Sequence, residues 1–170
     1  MDVALVGAGQ TRYGTSATGL KGMFAEAVRA ALASVDKGMA PRDVQEAWVG
    51  SVSFGGAQLG NLAGLLCEHA GLQGIPARRV ENACASGGYA LRDAIQAVRS
   101  GRCDVALAAG IERMNDWDPE RQRYWLGVSG DTEWERLAGL TFSGVYGLMA
   151  ARHMHEHLSL IHISEPTRPY

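Results

Sequence analysis

The stretch Val80-Glu81-Asn82-Ala83-Cys84-Ala85-Ser86-Gly87-Gly88-Tyr89 places one cysteine between an extended segment and a helix. Upstream, Pro76 ends a turn and Ala77 to Glu81 reads as a strand. Downstream, Leu91, Ala94, Ile95 and Val98 recur at i, i+3, i+4 and i+7, the spacing of one helical face. Cys84 therefore falls at a helix start. The first-turn N–H groups there have no intrahelical acceptor, and the positive end of the peptide dipole favours a thiolate over a thiol. Ala83, Ala85, Ser86, Gly87 and Gly88 are all small and leave room for a substrate carbonyl at the turn. A merely structural cysteine would need neither the helix start nor the small neighbours. Cys84 is the candidate nucleophile.

The chain around this stretch alternates strands with helices. Val3-Ala4-Leu5-Val6, closed by Gly7, has the continuous apolar character of a buried parallel strand. Leu20, Met23, Phe24, Ala27, Val28, Ala31 and Leu32 give an amphipathic helix over residues 20 to 35, and Ala47 to Val52 gives a second strand. A glycine-rich connection from Ser53 to Gly60 leads into a helix over residues 61 to 70, which Gly71 terminates. The strand before Cys84, the helix after it and a strand over residues 105 to 109 complete four strand–helix alternations. That order predicts an α/β layered fold, a mostly parallel sheet with helices on its faces and right-handed crossovers. Ligands in such sheets collect at the carboxyl ends of the strands, where Cys84 lies.

Composition narrows the function class. With 46% apolar and 20% charged residues and a net charge of -2, the 170-residue chain can bury a core and carries no basic footprint for nucleic acid. No apolar run approaches the roughly 18 residues of a membrane span. The N-terminus lacks the basic flank of a secretory signal, which points to the cytoplasm. Three cysteines without a C-x-x-C pair argue against a disulfide framework or a zinc site, so Cys67 and Cys103 read as core thiols. Gly7-Ala8-Gly9 has Arg12 where a dinucleotide fingerprint needs its third glycine, so no nucleotide site is expected.

Beyond Gly110 the pattern loosens. Residues 116 to 140 mix Trp117, Trp125 and Trp134 with many charges and read as a loop excursion, its tryptophans fastening it to the sheet. Phe142, Val145, Tyr146 and Met149 then mark a helix to about His157. His153 and His157 are spaced i, i+4, but without a third ligand they read as solvated helix-end side chains, not a metal site.

Several segments together resemble the N-terminal half of the thiolase family, closest to its archaeal and sterol-carrier-type branch. They are V-G-A-G-Q-T-R-Y-G from Val6, E-N-A-C-A-S-G-G-Y-A-L around Cys84, S-G-R-C-D-V-A-L-A-A-G-I-E-R-M from Ser100, and T-F-S-G-V-Y-G-L-M-A-A-R-H-M-H-E from Thr141. The resemblance implies a thiolase-like layered fold, with an α/β core over residues 1–114 and a loop excursion with its late helix over 115–157. Residues 158–170 depart from the family and resemble translated sequencing adapter, a non-native tail. It further implies an acyltransferase that moves an acyl group between an acyl-cysteine at Cys84 and coenzyme A or acetyl-CoA. Acyl-CoA and acetyl-CoA are then substrates and no cofactor is needed, and the full-length protein forms a homodimer or homotetramer.

The resemblance assigns Cys84 alone to catalysis and no residue here to coenzyme A or a metal. The family's base histidine and second cysteine belong to a C-terminal half not matched here, so this chain alone is expected to be inactive or nearly so. Two alternatives share the cysteine helix. One is a ketoacyl synthase or hydroxymethylglutaryl-CoA synthase relative; the other is a non-catalytic subunit that binds coenzyme A or a partner protein.

Overall fold

A computed structural model describes residues 2–157, and the tail at 158–170 lies outside the described residues. The chain divides into two compact units, one up to Trp117 and one from Asp118. The first contains α1 (Gly19–Ala33), β1 (Glu46–Gly50), α2 (Leu62–His69), β2 (Ala77–Val80), α3 (Ser86–Arg99) and β3 (Ala106–Gly110). Its sheet is parallel, in the order β2-β1-β3, with Ala47 opposite Ala77 on one side and Leu107 on the other.

β1 is the buried centre of this unit, and its pleat sorts the two cores. Ala47 and Val49 point to the face where Phe24, Val28 and Leu32 of α1 meet Leu62, Leu66 and Cys67 of α2. Trp48 points to the other face, under Ala90, Ala94 and Ala97 of α3. The alanine stripe lets α3 lie close over the indole. Two arginines lie over the Trp48 ring. The guanidinium carbons of Arg78 and Arg102 stand 5.8 and 5.2 Å from the ring centroid, and both arginines pair with the buried carboxylate of Glu46, at 3.4 and 2.8 Å. The cation–π contacts and the ion pairs thus share the same two side chains, which leaves the buried Glu46 charge compensated.

The expected strand over Val3–Val6 is not formed. Residues 2–18 hold no strand, and Leu5 is 78% exposed. Ala8 N–H donates to Ser34 Oγ at 2.8 Å, and a Cβ at Gly7 or Gly9 would collide with the backbone of α1. The G-A-G sequence is therefore a helix-crossing device. Between this segment and β3 lies a groove of about 1020 Å³, lined also by Leu91, Ile95 and Val98 of α3. An apolar run becomes a strand only with a neighbour to take its backbone hydrogen bonds, and the groove separates residues 3–6 from β3. The sheet thus has three of the four expected strands.

The second unit contains α4 (Pro119–Gly127), a single π turn at Thr132–Arg136 and α5 (Phe142–His157). The expected loop excursion is thus partly helical. Asp118 caps α4, its Oδ1 accepting from Glu120 N–H and Arg121 N–H at 3.0 Å each, with Pro119 at the first helical position. Asp131 caps the π turn in the same way. Trp134, expected to fasten the excursion, is 79% exposed, whereas Trp117 of the first unit packs against Gly55. Among the described residues no helix is long and apolar enough to cross a membrane.

Two outcomes follow from this packing. Leu66→Ala, which removes a side chain buried between α1, α2 and β1, should lower unfolding stability by about 3 kcal/mol in urea titrations. The exposed Leu59→Ala should change it by less than about 0.5 kcal/mol. The N–H donated by Arg121 holds the Asp118 carboxyl below the ordinary carboxylate range. The cap is therefore in place above the ordinary carboxyl value and is lost as pH falls through the lowered one. Amide protection in the first turn of α4, relative to the intrinsic exchange rate, should fall on acidification below about pH 4, and Asp118→Ala should abolish that change.

Candidate active site

The carboxyl ends of the three strands converge and are tied together. Ser51 N–H donates to Val80 O at 3.1 Å, and Ile111 N–H to Gly50 O at 3.0 Å. At this end β2 enters the turn Glu81–Ala85, and α3 begins at Ser86. Gly50 is where the turn meets the sheet. A Cβ there would stand 2.7 Å from the backbone of Ser86 and Gly87, so α3 starts directly on β1. Only a glycine permits this approach.

The turn itself is short and internally bonded. Ala83 has φ 45, in the left-handed region that L-residues with a Cβ rarely occupy, at a cost of about 1–2 kcal/mol. Glu81 Oε1 accepts from Ala83 N–H at 2.6 Å. Ser86 Oγ accepts from Asn82 N–H at 2.8 Å and donates to Ala83 O at 2.7 Å. Ala85 N–H and Ser86 N–H return to Asn82 O and Ala83 O. Cys84 forms an isolated backbone bridge with Asn82, and it is exposed. Gly87 and Gly88 have open space where a side chain would project. The turn is thus fixed in its backbone and open at its thiol.

A second wall of the site escaped the sequence reading. Glu112, two residues past β3, collects the loop after β1. Its carboxylate accepts from Val52 N–H at 2.8 Å, from Phe54 N–H at 2.7 Å and from the Ser51 hydroxyl at 3.3 Å. Ser53, left-handed at φ 57, is held by Ser51 Oγ, by Arg79 and by its own bond to Gln58 O. Arg79 also donates to Leu59 O. Glu112 and Arg79 staple the 51–59 loop to the ends of β3 and β2. The only signal for this in sequence was the acidic residue of the I-E-R-M segment just beyond a strand.

The other cysteines are elsewhere. Cys67 lies in the α1–α2 core, where burial pushes its thiol up to about 11, and Cys103 is buried beside Glu46, with burial and then the carboxylate raising its value. His69 ends α2, which returns from the loop after β1 to the start of β2, so it lies at the opposite end of the sheet from Cys84. His153 and His157 stack at 4.5 Å on α5 in the second unit. Among the described residues no cluster of three or more histidine, cysteine or acidic side chains could hold a metal.

A parallel sheet flanked by helices, with an exposed cysteine on the turn between a strand and a helix, defines an α/β protein with a candidate site on the carboxyl edge of its sheet. Residues 3–152 match the family described as the thiolase N-terminal domain, and the chain belongs to that family. It is 41% identical over 159 residues to the acetyl-CoA acetyltransferase of Methanothermobacter thermautotrophicus, covering 92% of this chain and 40% of that protein. It is 41% identical over 161 residues to the acetyl-CoA acetyltransferase of Methanocaldococcus jannaschii, covering 92% and 39%. Against sterol carrier protein 2 of Gallus gallus it is 36% identical over 115 residues, 66% of this chain and 20% of that one. The chain thus spans about two fifths of the length of the archaeal relatives.

The exposures give a direct check. Iodoacetamide at about pH 8 should add one carbamidomethyl group, mapped by peptide mass to Cys84, because the thiolate is the nucleophile and the other two thiols are buried. Equal labelling of Cys67 would contradict the packing of α2.

Proposed function

We propose that Cys84 is the acylated nucleophile of a thiolase-type acyltransferase. The observation that carries this is the placement of an exposed thiol on a bonded turn at a helix start, on the carboxyl edge of a parallel sheet. Membership of the thiolase family and the acetyltransferase names of the archaeal relatives support it.

The Cys84 thiolate attacks the thioester carbonyl of an acyl-CoA. The tetrahedral adduct collapses with cleavage of the carbon–sulfur bond to coenzyme A, which leaves as a thiolate and takes up a proton. The acyl-cysteine is then attacked either by a coenzyme A thiolate, returning an acyl-CoA, or by the enolate carbon of acetyl-CoA, forming a carbon–carbon bond and releasing Cys84. The N–H groups of the first turn of α3 can stabilise the negative oxygen, a role in which one donor contributes about 100- to 1000-fold in rate.

Turnover needs more than this unit supplies. A base must take the thiol proton and an acid–base group must serve the acetyl-CoA carbon. In the unit that holds Cys84 the single histidine, His69, lies at the wrong end of the sheet. Glu81, three residues before Cys84 in sequence, is engaged with the Ala83 N–H. We therefore infer that this chain alone turns over little or not at all, and that the full-length protein is the catalyst.

Incubation with acetyl-CoA tests both statements. In the chain extended to the full length of its archaeal relatives, intact mass should show one acetyl group on Cys84, and Cys84→Ser should abolish it along with acetoacetyl-CoA cleavage. An extended protein that turns over with Cys84→Ser in place would overturn the nucleophile assignment. Sustained turnover by the 170-residue chain, lost in Cys84→Ser, would overturn its inactivity.

A further inference from the structure

We propose that Ser86 is the positioning residue for Cys84: its side-chain hydroxyl, anchored to the sheet through Gly50, sets the left-handed turn that presents the thiol. This inference rests on the reading of Cys84 as nucleophile.

Three observations combine. The Ser86 hydroxyl spans the turn, accepting from Asn82 N–H at 2.8 Å and donating to Ala83 O at 2.7 Å, so both sides of Ala83 are fixed by one oxygen. Ser86 is only 4% exposed, so water cannot readily replace these bonds. Its backbone lies against Gly50, where an added Cβ would come within 2.7 Å of Ser86 O and the Ser86 carbonyl carbon. Position is thus passed from β1 to Ser86, from its hydroxyl to Ala83, and from Ala83 to Cys84.

The energetics require such a device. Ala83 held at φ 45 is unfavourable for a residue with a Cβ. The two hydrogen bonds of the Ser86 hydroxyl, 2.8 and 2.7 Å long, offset that cost. Removing them leaves the Asn82 N–H without its partner and frees Ala83 to return to an ordinary conformation. Cys84 would then lose its fixed direction relative to the start of α3.

The test uses the 170-residue chain and iodoacetamide, with Cys84→Ser as the blank. Four variants are compared for the rate of Cys84 alkylation across pH and for thermal unfolding: Ser86→Ala, Ser86→Thr, Ser86→Ala with Ala83→Gly, and Leu66→Ala as a remote destabilised control. Ser86→Ala should slow alkylation about ten-fold at neutral pH, since small misplacement of a reacting group is costly, and should change the shape of the pH–rate profile. Ser86→Thr, which keeps the hydroxyl, should recover most of the rate. Ala83→Gly should also restore reactivity in the Ser86→Ala background, because glycine enters the left-handed region without help. Leu66→Ala should leave the rate within about two-fold.

An unchanged rate in Ser86→Ala would overturn the proposal, as would equal slowing in Leu66→Ala or a double variant no faster than the single one. If Ser86→Ala does not fold, the double variant decides: wild-type reactivity supports the clamp, and a slow or unfolded double variant refutes it. Alkylation by iodoacetamide is independent of acyl transfer. Failure of Cys84 to acetylate in the extended protein would therefore sink the acyltransferase reading and leave this result standing.

Discussion

The structure depends on the contact between Gly50 and the first residues of α3. At this point a strand end and a helix start approach so closely that no side chain fits between them. The contact puts the helix N-terminus directly on the carboxyl edge of the central strand and fixes where the preceding turn must lie. A turn on an exposed loop would let its thiol wander. A turn wedged between β2 and a helix seated on β1 cannot. The chemistry assigned to Cys84 is therefore a consequence of packing at a residue that has no side chain.

The two ends of the sheet are held by different means. At the carboxyl end Glu112 and Arg79 draw the 51–59 loop over the strand tips through hydrogen bonds to backbone groups. At the amino end Glu46, Arg78 and Arg102 close around Trp48. The carboxylate at the active end satisfies N–H groups that the glycine-rich loop would otherwise leave unpaired, and an unpaired buried N–H is costly. The one at the far end neutralises cations stacked on an aromatic ring. Each arrangement joins all three strands, so the short sheet is fastened along its edges as well as through its cores.

The family relationship gives this geometry a setting. The relatives are proteins more than twice as long, and the present chain corresponds to about two fifths of each. The groove beside β3 shows how the unit differs from a closed α/β layer. Leu91, Ile95 and Val98 of α3 line it with the N-terminal segment, whereas Ala90, Ala94 and Ala97 face the sheet. The larger apolar stripe of α3 thus serves the groove and the smaller one serves the core.

Much of this was legible in sequence because it is local. Periodicity located α1, α2, α3 and α5 to within a few residues, and a continuous apolar run or a strand before a turn located β1, β2 and β3. Cys84 stood out as a candidate because a cysteine at a strand-to-helix junction among small residues is a local pattern with a local physical meaning. The helix α4 carried its own signal in Asp118-Pro119, a cap followed by a residue suited to the first helical position, but a mixed-charge segment without apolar period hid it. What sequence could not decide was whatever needs a partner from elsewhere in the chain. Val3–Val6 has the composition of a strand and is not one, since a strand exists only where another backbone takes its hydrogen bonds. Glu112 and Ser86 looked like ordinary polar residues of a motif. Their roles appear only when the strand ends come together, and tertiary structure alone brings a carboxylate at position 112 to amides at 52 and 54, or seats a serine against a glycine 36 positions earlier.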